Sequence, residues 1–554
     1  MPASTASNET FDLCVIGAGP VGMALALESA ARGLSVVLLD AGGDADDPAA
    51  SDASRAEMVD PARHVPMDLA VRRGVGGASW LWGGRCVPFD EVDFAKRDFV
   101  PDSGWPISGA DVDPHYRAAV RYLDCGDAVF DETPPNWRDA AGDLLASRLE
   151  HFAKQHKRAL DLRCLIAAQP LIELRVEEPV TGLDLGPRGD RVVGVLVGAN
   201  ARPRALAKKY ALACGGLETT RLLLATQQKF PRAFGGVDGP LGRYYMGHFE
   251  GSVASVVFDA PGDIDDFDYR LDATGGYVRR VLTIAGETQT REKIQNIAFW
   301  PDNLPFYDAR HRSGVKSLIF LLAVTPRLGP KLVSEAIRLG IVGPAPRRFA
   351  PHVWNVLSHP FDTAREVWGV VHDRFVQKRR KPGWLLRAPD NKYVFHYRAE
   401  QMPRRDSRVT LRDERDEYGM PRLRVDLRYT AEDATRCLRA HDVVDKALRA
   451  NGKGRLEYAH PEGERVARVL EQASDGYHQL GCARMGSDPA TSVVDADCRV
   501  HDVDNLYLAT SAVFPTGGHA NPTLLATAMA ARLAAHVAAK ANARDGAEAA
   551  RSAA

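Results

Sequence analysis

FDLCVIGAGPVGMALALESAARGLSVVLLDAGG, residues 11–43, reads as strand, tight turn, helix and strand. Leu13–Ile16 is a short apolar run, and Gly17, Gly19 and Gly22 follow it as G-x-G-x-x-G. Ala24–Ala31 favours a helix, and Val36–Leu39 is a second apolar run that ends in Asp40. Each glycine has its own physical duty. Gly17 permits the turn, Gly19 lets backbone approach a pyrophosphate, and Gly22 lets helix pack closely on strand. The helix start then turns its free N–H groups toward phosphate. Asp40 stands 23 residues beyond Gly17, where a carboxylate reaches a ribose hydroxyl. A carboxylate there repels a 2′-phosphate, so NADP is disfavoured, while NAD and FAD both stay open.

The chain around this unit has 554 residues, enough for two domains or more. It is 45% hydrophobic and 26% charged, with 71 Lys and Arg against 72 Asp and Glu. That balance gives no electrostatic reason to expect nucleic acid as a partner. Residues before Phe11 have neither the basic flank nor the apolar run of a signal peptide. No run of about 18 apolar residues would form a transmembrane segment. The eight cysteines are scattered without C-x-x-C or metal-ligand spacing, so no metal site is expected. They read as small buried residues of a reducing compartment, and a cytoplasmic location is expected. Oligomeric state is not legible.

Residues 41–70 are rich in Asp and Ala and read as an exposed loop. RRGVGGASWLWGGRCVPFDEVDF (72–94) sets five glycines around Trp80 and Trp82, as expected of backbone lying close against a flat or phosphorylated ligand. DVDPHYRAAVRYLD reads as an amphipathic helix, and RVVGVLVG and KKYALACGG read as strands. ACGGLETTRLLLAT (213–226) repeats the strand–glycine–helix logic at Gly215 and Gly216. Residues 256–470 alternate as antiparallel strands do, notably SRVTLRDERDEYGMPRLRVDLRY. They carry a helical insertion at about 313–381, with apolar SLIFLLAV and LVSEAIRLGIVG and basic VQKRRKPGW. That insertion reads as a subdomain packed on the core, a lid, or a patch meeting a partner or membrane face. The tail 541–554 is small and polar and is expected to fray.

Near the C-terminus, DGYHQLGCARMGSDPATSVVDADCRVHDVDNLYLATSAVFPTGGHANPT (475–523) places His478 before a Gly-rich turn. Asn521 is a good helix N-cap, and Pro522 suits the first helical position because its missing N–H costs nothing there. Leu524, Leu525, Ala528 and Leu533 then recur at helical spacing.

Residues 11–43, 74–90, 213–224, 242–251 and 475–535 together resemble the glucose–methanol–choline (GMC) family of FAD-dependent oxidoreductases, in order and spacing. HANPT is closest to the sugar-oxidising, pyranose-oxidase-like branch. The resemblance implies an α/β fold: a Rossmann-like FAD-binding domain from 8–100, 165–255 and 470–540, and an α+β substrate-binding domain with an antiparallel sheet from 101–164 and 256–469. It implies that FAD lies against Gly17, Gly19, Gly22, Asp40, Gly76, Gly77, Ser79, Trp82, Gly83, Gly215, Thr510, Pro522 and Thr523. His478 and Asn521, 43 positions apart, fall on the family's catalytic pair, whereas His519 does not. Leu81 stands where the sugar oxidases tether their flavin, so FAD is expected to be non-covalent. Thr510 and Gly247 stand where many members carry Asp.

The expected chemistry is oxidation of a secondary hydroxyl of a sugar or glycoside to a ketone, with oxygen or another acceptor as final oxidant. His478 would take the hydroxyl proton while hydride leaves for flavin N5, and Asn521 would donate to the developing alkoxide. The helix start at Pro522 and Thr523 would face negative charge on the flavin. A non-sugar alcohol substrate, a non-redox flavin-containing lyase and a nicotinamide dehydrogenase are the alternatives.

Overall fold

The computed structural model describes residues 10–45, 47–137, 142–154, 159–199, 202–326, 341–358, 360–372 and 381–552. Phe11–Ile16 is the central strand of a five-stranded parallel sheet, in the order Leu506–Leu508, Ala207–Leu212, Phe11–Ile16, Val36–Leu39, Ile172–Arg175. Three of the five strands, Ile172–Arg175, Ala207–Leu212 and Leu506–Leu508, come from remote parts of the chain, so a discontinuous domain follows directly. Helix Pro20–Ala30 packs on the sheet through Met23, Ala24, Leu25 and Ala26. The last helix starts at Pro522 and lies along it, with Leu533, Ala534 and Val537 in the same core. Both helices lie on one face of the sheet. Leu183, Val195 and Leu222 cover the other, over Cys14, Ile16, Val37 and Leu39, so the sheet is buried on both sides as a parallel sheet requires.

The second large sheet is antiparallel and six-stranded, in the order Gly454–Tyr458, His248–Phe258, Lys392–Glu400, Ile297–Asp302, Leu282–Ile284, Leu144–Leu145. Helix Ala431–Ala450 is packed in its core through Ala434, Cys437, Ala440 and Val444. A buried ion pair ties the two halves: both terminal guanidinium nitrogens of Arg97 donate to Glu400, each at 2.7 Å.

The structure differs from the sequence expectations at five points. Residues 41–70 are not simply an exposed loop. Ala49–Ser54 forms a 3₁₀ turn with buried Ser51 and Ser54, because Arg73 N–H groups donate to both hydroxyls. Ala56–Met58 then pairs in parallel with Pro421–Asp426. The hairpin Arg408–Arg415 and Pro421–Asp426, expected on the substrate side, packs Val409, Leu423 and Val425 into the same core as the parallel sheet's Ile16 and Leu212. Helix Asp113–Leu123 joins that core through Tyr116, Ala119 and Val120. Helix Pro522–Ser552 continues through the stretch expected to fray, as its Ala-rich sequence favours. Cys164 is exposed, unlike six other cysteines that are buried.

The insertion contributes helices Gly314–Val324, Ala350–Ser358 and Pro360–Val371. Residues 332–340 of LVSEAIRLGIVG and 376–380 of VQKRRKPGW lie outside the described residues. Among the described residues, no helix is long and apolar enough to cross a membrane.

Candidate active site

One cavity of about 710 Å³ runs from the N-terminal glycine turn to the last helix. Gly17, Gly19 and Asp40 line one part, and His478, Asn521, Pro522 and Thr523 line another. Gly77, Ser79, Trp82, Gly83, Gly215 and Thr510 line it as well. Gly22 and Gly76 do not. Gly22 is a packing position, where a Cβ would fall 1.9 Å from the Gly17 carbonyl oxygen. Gly76 is a strut with φ +100°, and its N–H donates to the Ala18 carbonyl at 2.8 Å.

The glycine turn fits a pyrophosphate. Gly17 has φ +105°, and a Cβ there would sit 2.6 Å from the Ala213 carbonyl oxygen. Above Gly19 no atom lies within 4 Å of where a Cβ would stand, so backbone meets open space. Asp40 accepts from Ala18 N–H at 2.7 Å and Gly42 N–H at 3.0 Å, and burial pushes its carboxyl up from the usual range. Ser79 holds its own loop by donating to the Gly76 carbonyl at 2.6 Å. The Thr510 hydroxyl accepts from Ala512 N–H at 3.3 Å. Leu81 lines the cavity and offers no nucleophile for a tether.

We expect Gly22→Val to be costly, because the branched side chain must push the turn away from its helix. Such overpacking costs on the order of 1–3 kcal/mol. A thermal melt and the bound flavin per chain would read it: a lowered Tm with little flavin is the expected result.

The other end of the cavity is a hydrogen-bonded chain. Asp475 Oδ2 accepts from His478 Nδ1 at 2.9 Å, and Asn521 Nδ2 lies 2.9 Å from His478 Nε2. Arg398 donates to Asn521 Oδ1 and holds Glu250 with two bonds at 2.9 and 3.0 Å. These partners fix the proton positions. A guanidinium only donates, so the Asn521 oxygen faces Arg398 and its NH₂ faces the imidazole. An ionised carboxylate only accepts, so His478 carries its proton on Nδ1. The lone pair on Nε2 is therefore turned toward Asn521 and the cavity.

Asp475 is kept ionised by its surroundings. Burial pushes its carboxyl up, but His478 and His248 beside it hold it well below the usual carboxylate range. Oδ1 accepts from the N–H groups of Gly476, Tyr477 and His478 at 2.8, 3.0 and 3.2 Å. Oδ2 also takes the His248 N–H at 2.8 Å. The His248 ring stands edge-on to His478, and burial pulls its pKa down to about 4, so it is neutral. Gly247 explains itself here: a Cβ would lie 2.6 Å from the Asp475 Cβ, so the space is already filled by that side chain. His519 is buried away from the pair, with Nε2 3.2 Å from Asp90.

Asp475, His248, Arg398 and Glu250 are the functional residues that sequence reasoning missed. Asp475 had a local signal, an Asp three residues before the His whose carboxylate can collect the next N–H groups. Arg398 and Glu250 had none, since they meet only as cross-strand partners of the antiparallel sheet.

Residues 403–530, which include both His478 and Asn521, match the family model of the GMC oxidoreductases. A C-glycoside 3-oxidase of Arthrobacter globiformis is 36% identical over 118 residues, 21% of this chain and 21% of that enzyme. A 2-methyl-1,2-propanediol dehydrogenase of Mycolicibacterium austroafricanum is 23% identical across 95% of both chains. Residues 403–530 thus carry a GMC oxidoreductase C-terminal match, and the chain is similar to GMC enzymes along its length. The pyridoxine 4-oxidase structure from Mesorbium loti shares the fold at a TM-score of 0.51 and 16% identity, covering 95% of this chain and 98% of its own. At 35–36% identity, the chain spans about a fifth of the length of the curated relatives it matches. One cavity thus unites the glycine turn with the His478–Asn521 pair of the matched segment.

Proposed function

We propose that this chain is a GMC oxidoreductase that oxidises a secondary hydroxyl of a sugar or glycoside to a ketone, using FAD held without a covalent bond. The observation that carries this reading is the shared cavity, with a dinucleotide turn at one part and an oriented, unprotonated imidazole nitrogen at the other. Bound FAD would supply the hydride acceptor. The chain's own residues do the rest. His478 Nε2 takes the hydroxyl proton, and Asp475 stabilises the imidazolium that forms. The Asn521 NH₂, aimed by Arg398, donates to the substrate oxygen as negative charge grows there. Gly19 and the start of helix Pro20–Ala30 present backbone to the pyrophosphate.

A sugar suits the lining better than an apolar alcohol. Arg85, Glu250 and Arg398 stand with Trp82, Phe152 and Tyr477 around the same space. Charged donors and acceptors beside aromatic faces are what a polyhydroxylated ring needs. The name of the C-glycoside 3-oxidase points the same way.

The experiment is anaerobic mixing of the purified holoenzyme with sugars, glycosides and simple secondary alcohols. We expect the yellow colour to bleach with a sugar or glycoside and return with oxygen or a quinone. A colourless preparation that refuses FAD, or a flavin that none of them bleaches, would overturn the proposal. Flavin that acid precipitation leaves on the chain would overturn its non-covalent part.

A further inference from the structure

The helical insertion takes no part in the cavity: none of its described residues lines it. Its two later helices are instead built inside out. In Ala350–Ser358 the residues turned inward are polar. His352 Nδ1 lies 3.0 Å from Ser317 Oγ, and Asn355 Nδ2 donates to Ser317 Oγ at 3.1 Å and to the Ala309 carbonyl at 2.9 Å. In Pro360–Val371 the buried residue is Thr363, packed so closely on Gly314 that no Cβ would fit there. The large apolar side chains point the other way. Phe361 is 88% exposed, Trp354 71%, Trp368 68% and Leu357 67%.

Periodicity makes the exposed residues of each helix a stripe and not a scatter. Phe349, Val353 and Leu357 recur every fourth residue beside Trp354, and Phe361, Arg365 and Trp368 recur at helical spacing on the next helix. A helix of a water-soluble domain hides its apolar stripe. Here the stripe is presented, and so much contiguous aromatic surface marks a binding face.

Charge says what covers it. Arg347, Arg348 and Arg365 are exposed beside the aromatic residues. Between residues 343 and 380 the sequence holds seven Lys or Arg against three Asp or Glu, although the whole chain is balanced at 71 against 72. Trp, Phe and Leu beside exposed Arg is the chemistry of a helix lying in the headgroup layer of an anionic bilayer. Tryptophan suits that layer because its ring is apolar and its N–H is not.

We propose that the face formed by Trp354, Leu357, Phe361 and Trp368 docks this enzyme on anionic lipid membranes, peripherally and without a spanning segment. The basic residues bring it to the surface, and the aromatic residues then bury into the headgroup boundary. The cavity stays formed in water, so docking leaves the chemistry unchanged.

The test is co-flotation of the full-length holoenzyme with phosphatidylcholine vesicles, with and without phosphatidylglycerol. Binding is expected only with phosphatidylglycerol, and it weakens as salt is raised, because exposed charges are screened. The Trp354→Glu, Phe361→Glu, Trp368→Glu triple variant should lower the bound fraction by about tenfold or more while keeping flavin content and turnover. Quenching of wild-type tryptophan emission by brominated lipid supplies a readout that needs no variant. No binding to phosphatidylglycerol vesicles, or binding that the triple variant retains, would overturn the proposal. So would a wild-type dimer that the triple variant dissolves, since the face would then belong to a second copy of the chain.

Discussion

His478→Ala lowers the rate of anaerobic flavin reduction by alcohol roughly 10²–10⁴-fold, the contribution a well-placed general base makes. The prediction follows from which groups of the cavity could replace it. An alcohol releases hydride readily only as its O–H proton leaves, so some atom must accept that proton within hydrogen-bond reach. Asp40 stands at the glycine turn and is held by the N–H groups of Ala18 and Gly42. Glu250 is nearer, but it is locked by two bonds to Arg398. Although burial pushes its carboxyl up, that guanidinium holds it below the usual range, which makes it a poor base. His248 is neutral, but it is packed behind His478 and does not line the cavity. Among the described residues of the cavity, His478 Nε2 alone couples access with a lone pair, which the Asn521 NH₂ meets at 2.9 Å and a substrate hydroxyl would take over. Stopped-flow reduction under anaerobic conditions reads the loss directly, and added imidazole should restore part of the rate by entering the space vacated. A His478→Ala enzyme that reduces its flavin at the wild-type rate would remove His478 from the chemistry.

What the sequence made legible, and what it hid, divides along contact range. The strand–glycine–helix–strand unit is written in consecutive residues, because each glycine answers a local demand on φ or on close approach. The start of the last helix is equally local: Asn521 and Pro522 announce it by capping chemistry alone. His478 and Asn521 came from the resemblance to the GMC family, and the fold supplies what a resemblance lacks, the hydrogen bond between them. The groups that set their protonation are different. Glu250 and Arg398 belong to strands about 150 residues apart whose register aligns them one against the other, and a single sequence carries no record of register. The hairpin at 408–426 misled for a related reason. Its alternation is that of any antiparallel pair, and only the parallel partner Ala56–Met58 reveals which core it joins. The insertion was legible as helical but not as inside out, because polar residues at helical spacing look alike whether they face water or Ser317.

Asp475→Asn tests the most consequential of the groups the sequence concealed, and we expect it to lower kcat by roughly 10²–10⁴-fold, the contribution of the general base that it disables, with about 10⁴ the loss where a carboxylate fixes a catalytic tautomer. The amide matches the carboxylate in shape but not in chemistry. With its oxygen in the Oδ1 place it can still accept from Gly476, Tyr477 and His478, so the turn survives. Its NH₂ then occupies the Oδ2 place, where the His248 N–H and the His478 Nδ1 proton both need an acceptor. Donor meets donor, and His478 relieves the clash by moving its proton to Nε2. That nitrogen now faces the Asn521 NH₂ and the substrate hydroxyl with no lone pair to offer. Asp475 does not line the cavity, so KM should hold while kcat falls, which separates positioning from substrate binding. The pH dependence of stability moves too, with a definite sign. A carboxyl held below its unfolded value contributes stability above that value and loses it as pH falls through the folded one. The wild type should therefore lose stability on acidification at this site, and Asp475→Asn should be less stable at neutral pH but flatter below about pH 4. Thermal melts across that range, set beside kcat and KM, decide it: an unchanged kcat would show that Asp475 merely shapes the turn, whereas a fall in kcat at constant KM makes it the residue that keeps His478 a base.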